Sequence, residues 1–593
     1  MLDFCLNTFR KEYGKKGDAL ILDRYSLTPG VYILVNKDNG KIIESLNITK
    51  ENCKDEEYLE KFAKIDYLSK IINTNKAVSD KKIHSNNYLS FFVKAENVIP
   101  DKDGVTKVGI DEINKYYYNL ANGKDRAKDS NTKKMYELVS KEVDDIDLVS
   151  LDKCREWIEK NITTFADKYN LNKDSNYVKV FFKEDVNVYE KENKRYIIPR
   201  IFNKNECNKF IGDNVYGVPD NNFGMNDKKP YMMLKGKLTS EPMLVELKEV
   251  ELMKKFFDYL LCLLESQPRL SNLYISEESL IPISNEDILT EDFSGVFMHI
   301  SKAKSEAEIV DFDVVERFNP NIKIDVKDVI STVEVKEEKN PMKYGKLTTV
   351  KEVKYLIDSI FFNGYLSRNI FSSSQDISSL KIPKDIKRNI IEMKAPLSDW
   401  FYRGDIIKLK QVFPKKSMEI VIDNVLKGYT LKASKQMNLR YAMLNYLGGV
   451  EVNMKRKFED LYEKIIDGLL EENLILENNE EYCFFVGQVA YYLLNKSKSG
   501  KKNMDMIRII ETSDPNMMKK KFNMLYKKYR YDEFLNDGIM RYAISTVMDY
   551  ELDSNKVNLE ALNCGYLYSN SIMIAKKERK ASKNVKNGGN NNE

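Results

Sequence analysis

A chain of 593 residues with 42% apolar composition exceeds what one hydrophobic core organises, so two or three folded domains are expected and a disordered protein is excluded. Its 95 Lys and Arg face 91 Asp and Glu, so the net charge of +4 excludes no partner class and only local clusters carry an electrostatic argument. Two histidines, His84 and His299, in no metal-binding or paired pattern exclude histidine-based metal centres and paired-histidine acid–base chemistry.

The first elements read as α+β. The run "GVYILVNKDNGKIIESLNI" predicts two strands joined at Lys37–Asp38–Asn39–Gly40, because Asn-Gly supplies the left-handed backbone of a tight hairpin turn. In "DEEYLEKFAKIDYLSKII", Leu59, Phe62, Ile65, Leu68, Ile71 and Ile72 recur at helical spacing, which predicts a helix packed on that hairpin. Further strands are expected in "YLSFFVKAE" (Tyr88 to Glu96), "RYIIPRIF" (Arg195 to Phe202) and "GVFMHISKAKSEAEIVDFDVV" (Gly295 to Val315). Both histidines are flanked by such β-type sequence and read as hydrogen-bonded structural residues.

The polar stretch "VKEEKNPMKYGK" (Val335 to Lys346) marks a boundary, since β signals largely cease beyond it. Amphipathic segments then follow one another, among them "VKYLIDSIFFNGYL", "MKRKFEDLYEKIIDGLLEE", "YCFFVGQVAYYLLNKSKS" and "GIMRYAISTVMDYEL". Their apolar faces must be buried against one another. The expected architecture is an α+β domain at 1–340, a helical connecting region at 341–431, an all-α helical bundle at 432–575, and a disordered polar tail at 576–593.

The absence of a GxxxxGK[ST] run leaves a P-loop nucleotide motor unsupported. The longest apolar run, Phe256 to Leu264, is too short for a membrane span of roughly 20 residues. Seven scattered cysteines without a CxxC pair suit a reduced, cytoplasmic setting and give no zinc pattern, so no metal and no cofactor are expected.

Two segments carry the chemistry of polyanion binding. Between Asn495 and Arg530 cations greatly outnumber acids, and on a helix Lys519, Lys520, Lys521, Lys527 and Lys528, with Arg530 following, form an outer ridge while Phe522 and Leu525 face the bundle. Such a ridge tracks phosphates; the plain alternative is a solvated helix face. In the second, "YGVPDNNFGMNDKKPYMMLKGK", an irregular loop presents Asn221, Asn222, Lys228, Lys229 and Lys235. Asn amides bond adenine edges and Lys contacts guanine acceptors or phosphates.

The segments "ILDRYSLTPGVYILV", "KKIHSNNYLSFFVK" (Lys81 to Lys94), "YGVPDNNFGMNDKKPYM", "EMKAPLSDWFYRGD" (Glu392 to Asp405), "FFVGQVAYYLLNKSKS" and "LNCGYLYSNSI" resemble the large-subunit family of the type I-B CRISPR interference complex, Cascade. The resemblance implies a non-catalytic subunit whose first domain docks beside the subunit holding the 5′ end of the CRISPR RNA and reads the short motif flanking a double-stranded DNA target. It implies a bundle similar to the assembly's small subunit, lining the displaced strand and helping recruit a separate helicase-nuclease. The implied partners are CRISPR RNA, target DNA, the Cascade backbone subunits and the small subunits. It also implies an internal translation start, for which Met454 after Gly448–Gly449–Val450–Glu451 is the candidate, with Met437 and Met443 competing as starts. A carboxylate-dependent metal-ion nuclease and a scaffold without DNA contact remain as alternatives.

Overall fold

The computed structural model describes the chain apart from residues 172–175, 221–243, 304–305, 331–343, 449–453, 496–508, 510–513, 530–536, 553–555 and 589–593, and the side chains of 583–588. Contacts divide it into two units, Met1–Ile283 with Gly295–Phe312, and Ser284–Ser294 with Asp313–Glu593.

The first unit is α+β. Strands β1 (Gly30–Val35), β2 (Ile42–Ile48), β3 (Ser90–Lys94) and β4 (Tyr177–Phe182) form a sheet of order β2-β1-β4-β3. The predicted hairpin is β1–β2. Asn36 Oδ1 accepts from the amides of Asp38 and Asn39, and Gly40 takes φ 67°, the left-handed conformation that a side chain there would resist. β1 and β4 are the central strands and run parallel, which requires a long crossover; β3 closes the edge antiparallel to β4. The predicted helix spans Glu56–Ser69 and buries Phe62, Ile65 and Leu68; the Phe62 ring lies 5.4 Å from those of both Tyr32 and Phe181.

"RYIIPRIF" is not a strand. The helix Val186–Ile197 runs into it and ends in a 3-10 turn over Ile198–Arg200 containing Pro199. Its apolar residues are buried by helical packing, and the i,i+3 bond from Arg195 to Glu192 keeps the helix intact to that point. Short strands β5 (Lys209–Ile211), β6 (Asn214–Gly217) and β7 (Val245–Glu246) make a second sheet. β8 (Asn272–Ile275), β9 (Leu280–Ile283), β10 (Phe293–Ala303) and β11 (Glu306–Phe318) make a third, of order β11-β10-β8-β9, where the predicted Gly295–Val315 strands lie.

The second unit opens with the pair β12 (Asn321–Val326) and β13 (Gly345–Thr349) and is helical from Val350 onward. Thr349 starts the first helix with a capping box: its hydroxyl accepts from the Glu352 amide while the Glu352 carboxylate accepts from the Thr349 amide. Asn363, left-handed at φ 55°, stops that helix within the longer predicted segment.

The helical core starts earlier than the expected bundle boundary at 432. Val329, Ile330, Val421 and Val425 share one buried cluster with Phe458, Phe484 and Tyr568. Asn438 Oδ1 accepts from the amides of both Val329 and Ile330, so these two residues, expected in the first domain, pack in the second unit. The first part of the tail expected to be disordered at 576–593 instead continues the helix Ser571–Gly588, pinned where Lys576 donates to the Tyr492 hydroxyl and Arg579 to Glu472, and 589–593 lie outside the described residues.

Candidate nucleic-acid interface and a polar cleft

Of the basic run, the part from 515 to 529 folds as the helix Pro515–Tyr529, while its cations between 496 and 508 lie outside the described residues. Met518, Phe522 and Leu525, at i, i+4 and i+7, are buried, which turns the opposite side outward and leaves Lys520, Lys527 and Lys528 exposed. Lys528 lies over the Tyr529 ring, 5.4 Å from its centroid. Exposed Met517 and Met524 lie among these lysines. Lys521 is half-buried, and Arg530 lies outside the described residues.

Lys519 leaves the ridge. Its ammonium turns inward and donates to the carbonyls of Met548, at 3.2 Å, and Tyr550, at the C-terminal end of the helix Gly538–Asp549. A cation there satisfies carbonyls that the last turn of a helix leaves without an intrahelical donor. Lys519→Ala is therefore expected to lower stability by about 1 kcal/mol, whereas Lys520→Ala leaves it unchanged; urea unfolding distinguishes the two.

The loop residues Asn221, Asn222, Lys228, Lys229 and Lys235 lie outside the described residues. Of their flanks, Tyr216 and Gly217 belong to β6, and Asp220 lies 3.8 Å from Lys76. Met454 is the first residue of the helix Met454–Glu471.

Both histidines are held by hydrogen bonds. His299 Nδ1 donates to Asn272 Oδ1 at 2.7 Å across β10 and β8, and burial pulls its pKa down to about 4. The His84 Nε2–H donates to the Lys81 carbonyl, so Nδ1 accepts from the Tyr177 hydroxyl at 2.8 Å, and burial keeps the ring neutral by lowering its pKa. Burial also pushes up the thiols of Cys5, to about 11, and Cys262, to about 12. Among the described residues, no group of three or more His, Cys, Asp or Glu is placed to hold a metal ion, and no helix is long and apolar enough to cross a membrane.

The first unit also contains a cleft of about 1370 Å³ lined by lysines, carboxylates and tyrosines. At one side the charges are matched in pairs: Lys255 with Asp18 at 2.7 Å, Lys254 with Asp258 at 2.5 Å, and Lys302 with Glu265 at 2.8 Å. At the other side lies the β3–β4 edge. The register sets Phe92 opposite Lys179 and Lys94 opposite Tyr177, so strand alternation puts these four side chains on one face of the sheet.

Lys179 is buried mid-strand, donating to Asp66 at 2.6 Å and to the Tyr32 hydroxyl at 3.0 Å. Asp66 also accepts from the Tyr25 hydroxyl at 2.7 Å and lies 3.5 Å from Lys70. Burial alone would raise the Asp66 carboxyl, but the charges of Lys179 and Lys70 hold it below the usual carboxylate range. None of these cleft residues stood out in the sequence. The signal that could have found them was a charged residue at an inward position of each element, Asp66 between Ile65 and Leu68, and Lys179 between Val178 and Val180. No family model, curated protein or solved structure matches this chain.

Proposed function

We propose that this chain is a non-catalytic, nucleic-acid-binding subunit of an RNA-guided DNA surveillance complex, of the kind represented by the type I-B Cascade large subunit. On this reading the α+β part reads the motif flanking a double-stranded target, and the helical part holds the opened DNA for a separate helicase-nuclease. The observation that carries it is the helix Pro515–Tyr529, anchored by Met518, Phe522 and Leu525 and exposing Lys520, Lys527 and Lys528 along its outer side. Cations gathered along one side of a helix attract a polyanion, and binding gains from counterion release. The collinear segments resembling that family support the same conclusion.

Base pairing with a guide reads the long target in such an assembly, so the protein needs cationic surfaces rather than a nucleophile. Lys520→Glu/Lys527→Glu/Lys528→Glu is expected to weaken target binding with little sequence preference. It should also flatten the dependence of log K on log salt, by about 0.7 for each single-strand phosphate that is no longer neutralised. Filter binding of the assembled complex across a salt series measures both. Unchanged affinity would turn the reading into a scaffold, and Mg²⁺-dependent cleavage by the purified chain would turn it into a nuclease.

A further inference from the structure

The cleft of the first unit has an electrostatic asymmetry that packing does not explain. Along its β3–β4 side, Lys82 is matched by Glu112 at 3.0 Å, and Asp220 by Lys76 at 3.8 Å. Among the described residues, Lys70, Lys81, Lys94 and Lys179 remain, against the carboxylates of Asp66, Glu96 and Asp80, the last accepting from the Lys82 amide beside His84. Lys81 has a neutral partner, the Asn75 amide oxygen at 2.9 Å. Glu96 reaches Lys94 only at 3.7 Å, with both side chains about half exposed, a contact that contributes little. Asp66 is shared between Lys70 and Lys179. This recess therefore carries about one uncompensated positive charge by that count.

Its floor is costly to build. Burying an ammonium on a strand removes it from water, and an apolar residue of similar volume there would often be at least as stable. Lys179 has such apolar neighbours along β4, in Val178, Val180 and Phe181, all fully buried. A buried charge facing a cleft, with further cations at the rim, is the arrangement that binding an anion accounts for.

Aromatic faces are interleaved with the cations. Lys70 lies 4.5 Å from the centroid of the Tyr25 ring, and Lys179 lies 4.8 Å from that of Phe92 and 5.8 Å from that of Tyr177. Tyr177 is held in place by its bond to neutral His84. Planar rings beside ammonium groups suit a ligand that joins a flat heterocycle to a phosphate. The cleft exceeds the roughly 300–1,000 Å³ of sites for single small molecules, which leaves room for a nucleotide attached to a strand.

We propose that the β3–β4 side of this cleft binds a phosphate-bearing nucleotide unit, either a free nucleotide or the phosphorylated end of a nucleic-acid strand. Lys70, Lys81 and Lys94 receive the phosphate above Lys179, and Tyr177 offers a face to the base. The site is separate from the Lys520–Lys527 ridge and does not depend on it.

Fluorescence anisotropy and calorimetry on the full chain test this with ADP, adenosine, and a short oligoribonucleotide carrying either a 5′-phosphate or a 5′-hydroxyl. The phosphorylated probe of at least one pair is expected to bind more tightly than its unphosphorylated counterpart, and the pair showing the larger difference identifies the source. Lys81→Glu/Lys94→Glu alters exposed side chains and should weaken that probe roughly tenfold or more, with Lys70→Gln acting in the same direction. Lys520→Glu/Lys527→Glu should leave it unchanged. Equal binding of phosphorylated and unphosphorylated probes, or full affinity in the Lys81→Glu/Lys94→Glu chain, overturns the inference. Because long DNA is measured separately on the ridge variants, failure of this site and failure of the ridge reading give different results.

Discussion

Replacing Asp66 by an asparagine is expected to destabilise the first unit by about 3–5 kcal/mol, because it leaves the buried Lys179 ammonium without its counter-charge. Asp66 is fully buried and holds three groups at once: Lys179 at 2.6 Å, the Tyr25 hydroxyl at 2.7 Å and Lys70 at 3.5 Å. An amide keeps the shape but not the charge, so Lys179 must either remain charged without a partner or lose its proton. Either outcome weakens the packing of the helix Glu56–Ser69 on the sheet, since Asp66 and Phe62 lie on its inward face. The two tryptophans make the measurement local, Trp157 lying in the first unit and Trp400 in the second. In a Trp400→Phe background, urea unfolding followed by fluorescence reports on the first unit alone. An Asp66→Asn loss well below 1 kcal/mol would show that the pair contributes little beyond its desolvation cost.

The same substitution should change the acid limb of the stability profile. The Asp66 carboxyl titrates lower in the folded chain than in the unfolded one, so the unfolded state takes up its proton first as pH falls. Its stabilisation is present above the ordinary value of 3.8 and is lost as pH falls through the lower folded value. The Asp66→Asn variant lacks this contribution, and the gap between its stability curve and that of the parent should close toward acid.

Gly565→Ala is expected to disrupt the helical core by about 3 kcal/mol, at the upper end of ordinary overpacking costs. The helices Asn479–Asn495 and Leu559–Leu567 meet through two glycines. A Cβ on Gly565 would lie 1.9 Å from the Phe484 carbonyl oxygen, and one on Gly487 would lie 2.2 Å from that of Leu562. Both obstructing atoms are backbone, so no rotamer change relieves the clash and the helices must separate. Separation also strains the bonds of buried Gln488, which donates to the Gly565 carbonyl at 2.5 Å and accepts from the Ser571 amide at 2.7 Å. Trp400 fluorescence in a Trp157→Phe background follows this unit, and a Gly565→Ala chain that unfolds at the same urea concentration as its parent would contradict the close approach.

Much of the local structure was legible from pattern. Two β-rich runs and an Asn-Gly turn located the β1–β2 hairpin, helical spacing located Glu56–Ser69, and the apolar stripe of Pro515–Tyr529 determined which lysines face out. "RYIIPRIF" misled because a short apolar run is compatible with either a strand or a buried helix end, and only packing chooses between them. Lys519 shows the same limit: its spacing places it beside Lys520, but its long flexible side chain reaches the carbonyls at the end of a helix that lies some 30 residues away in the chain.

By itself, the sequence determined the class of each part, mixed α+β followed by helices, and the poverty in histidine that steers the reading toward binding. Those are properties of composition and periodicity, which each segment carries alone. Only the tertiary structure decided that Lys70, Lys94 and Lys179 share a recess with Tyr177, that Asp66 neutralises no more than one of them, and that Val329 and Ile330 belong to the helical core. Strand register and the contacts between distant segments bring these residues together, and no local pattern encodes either.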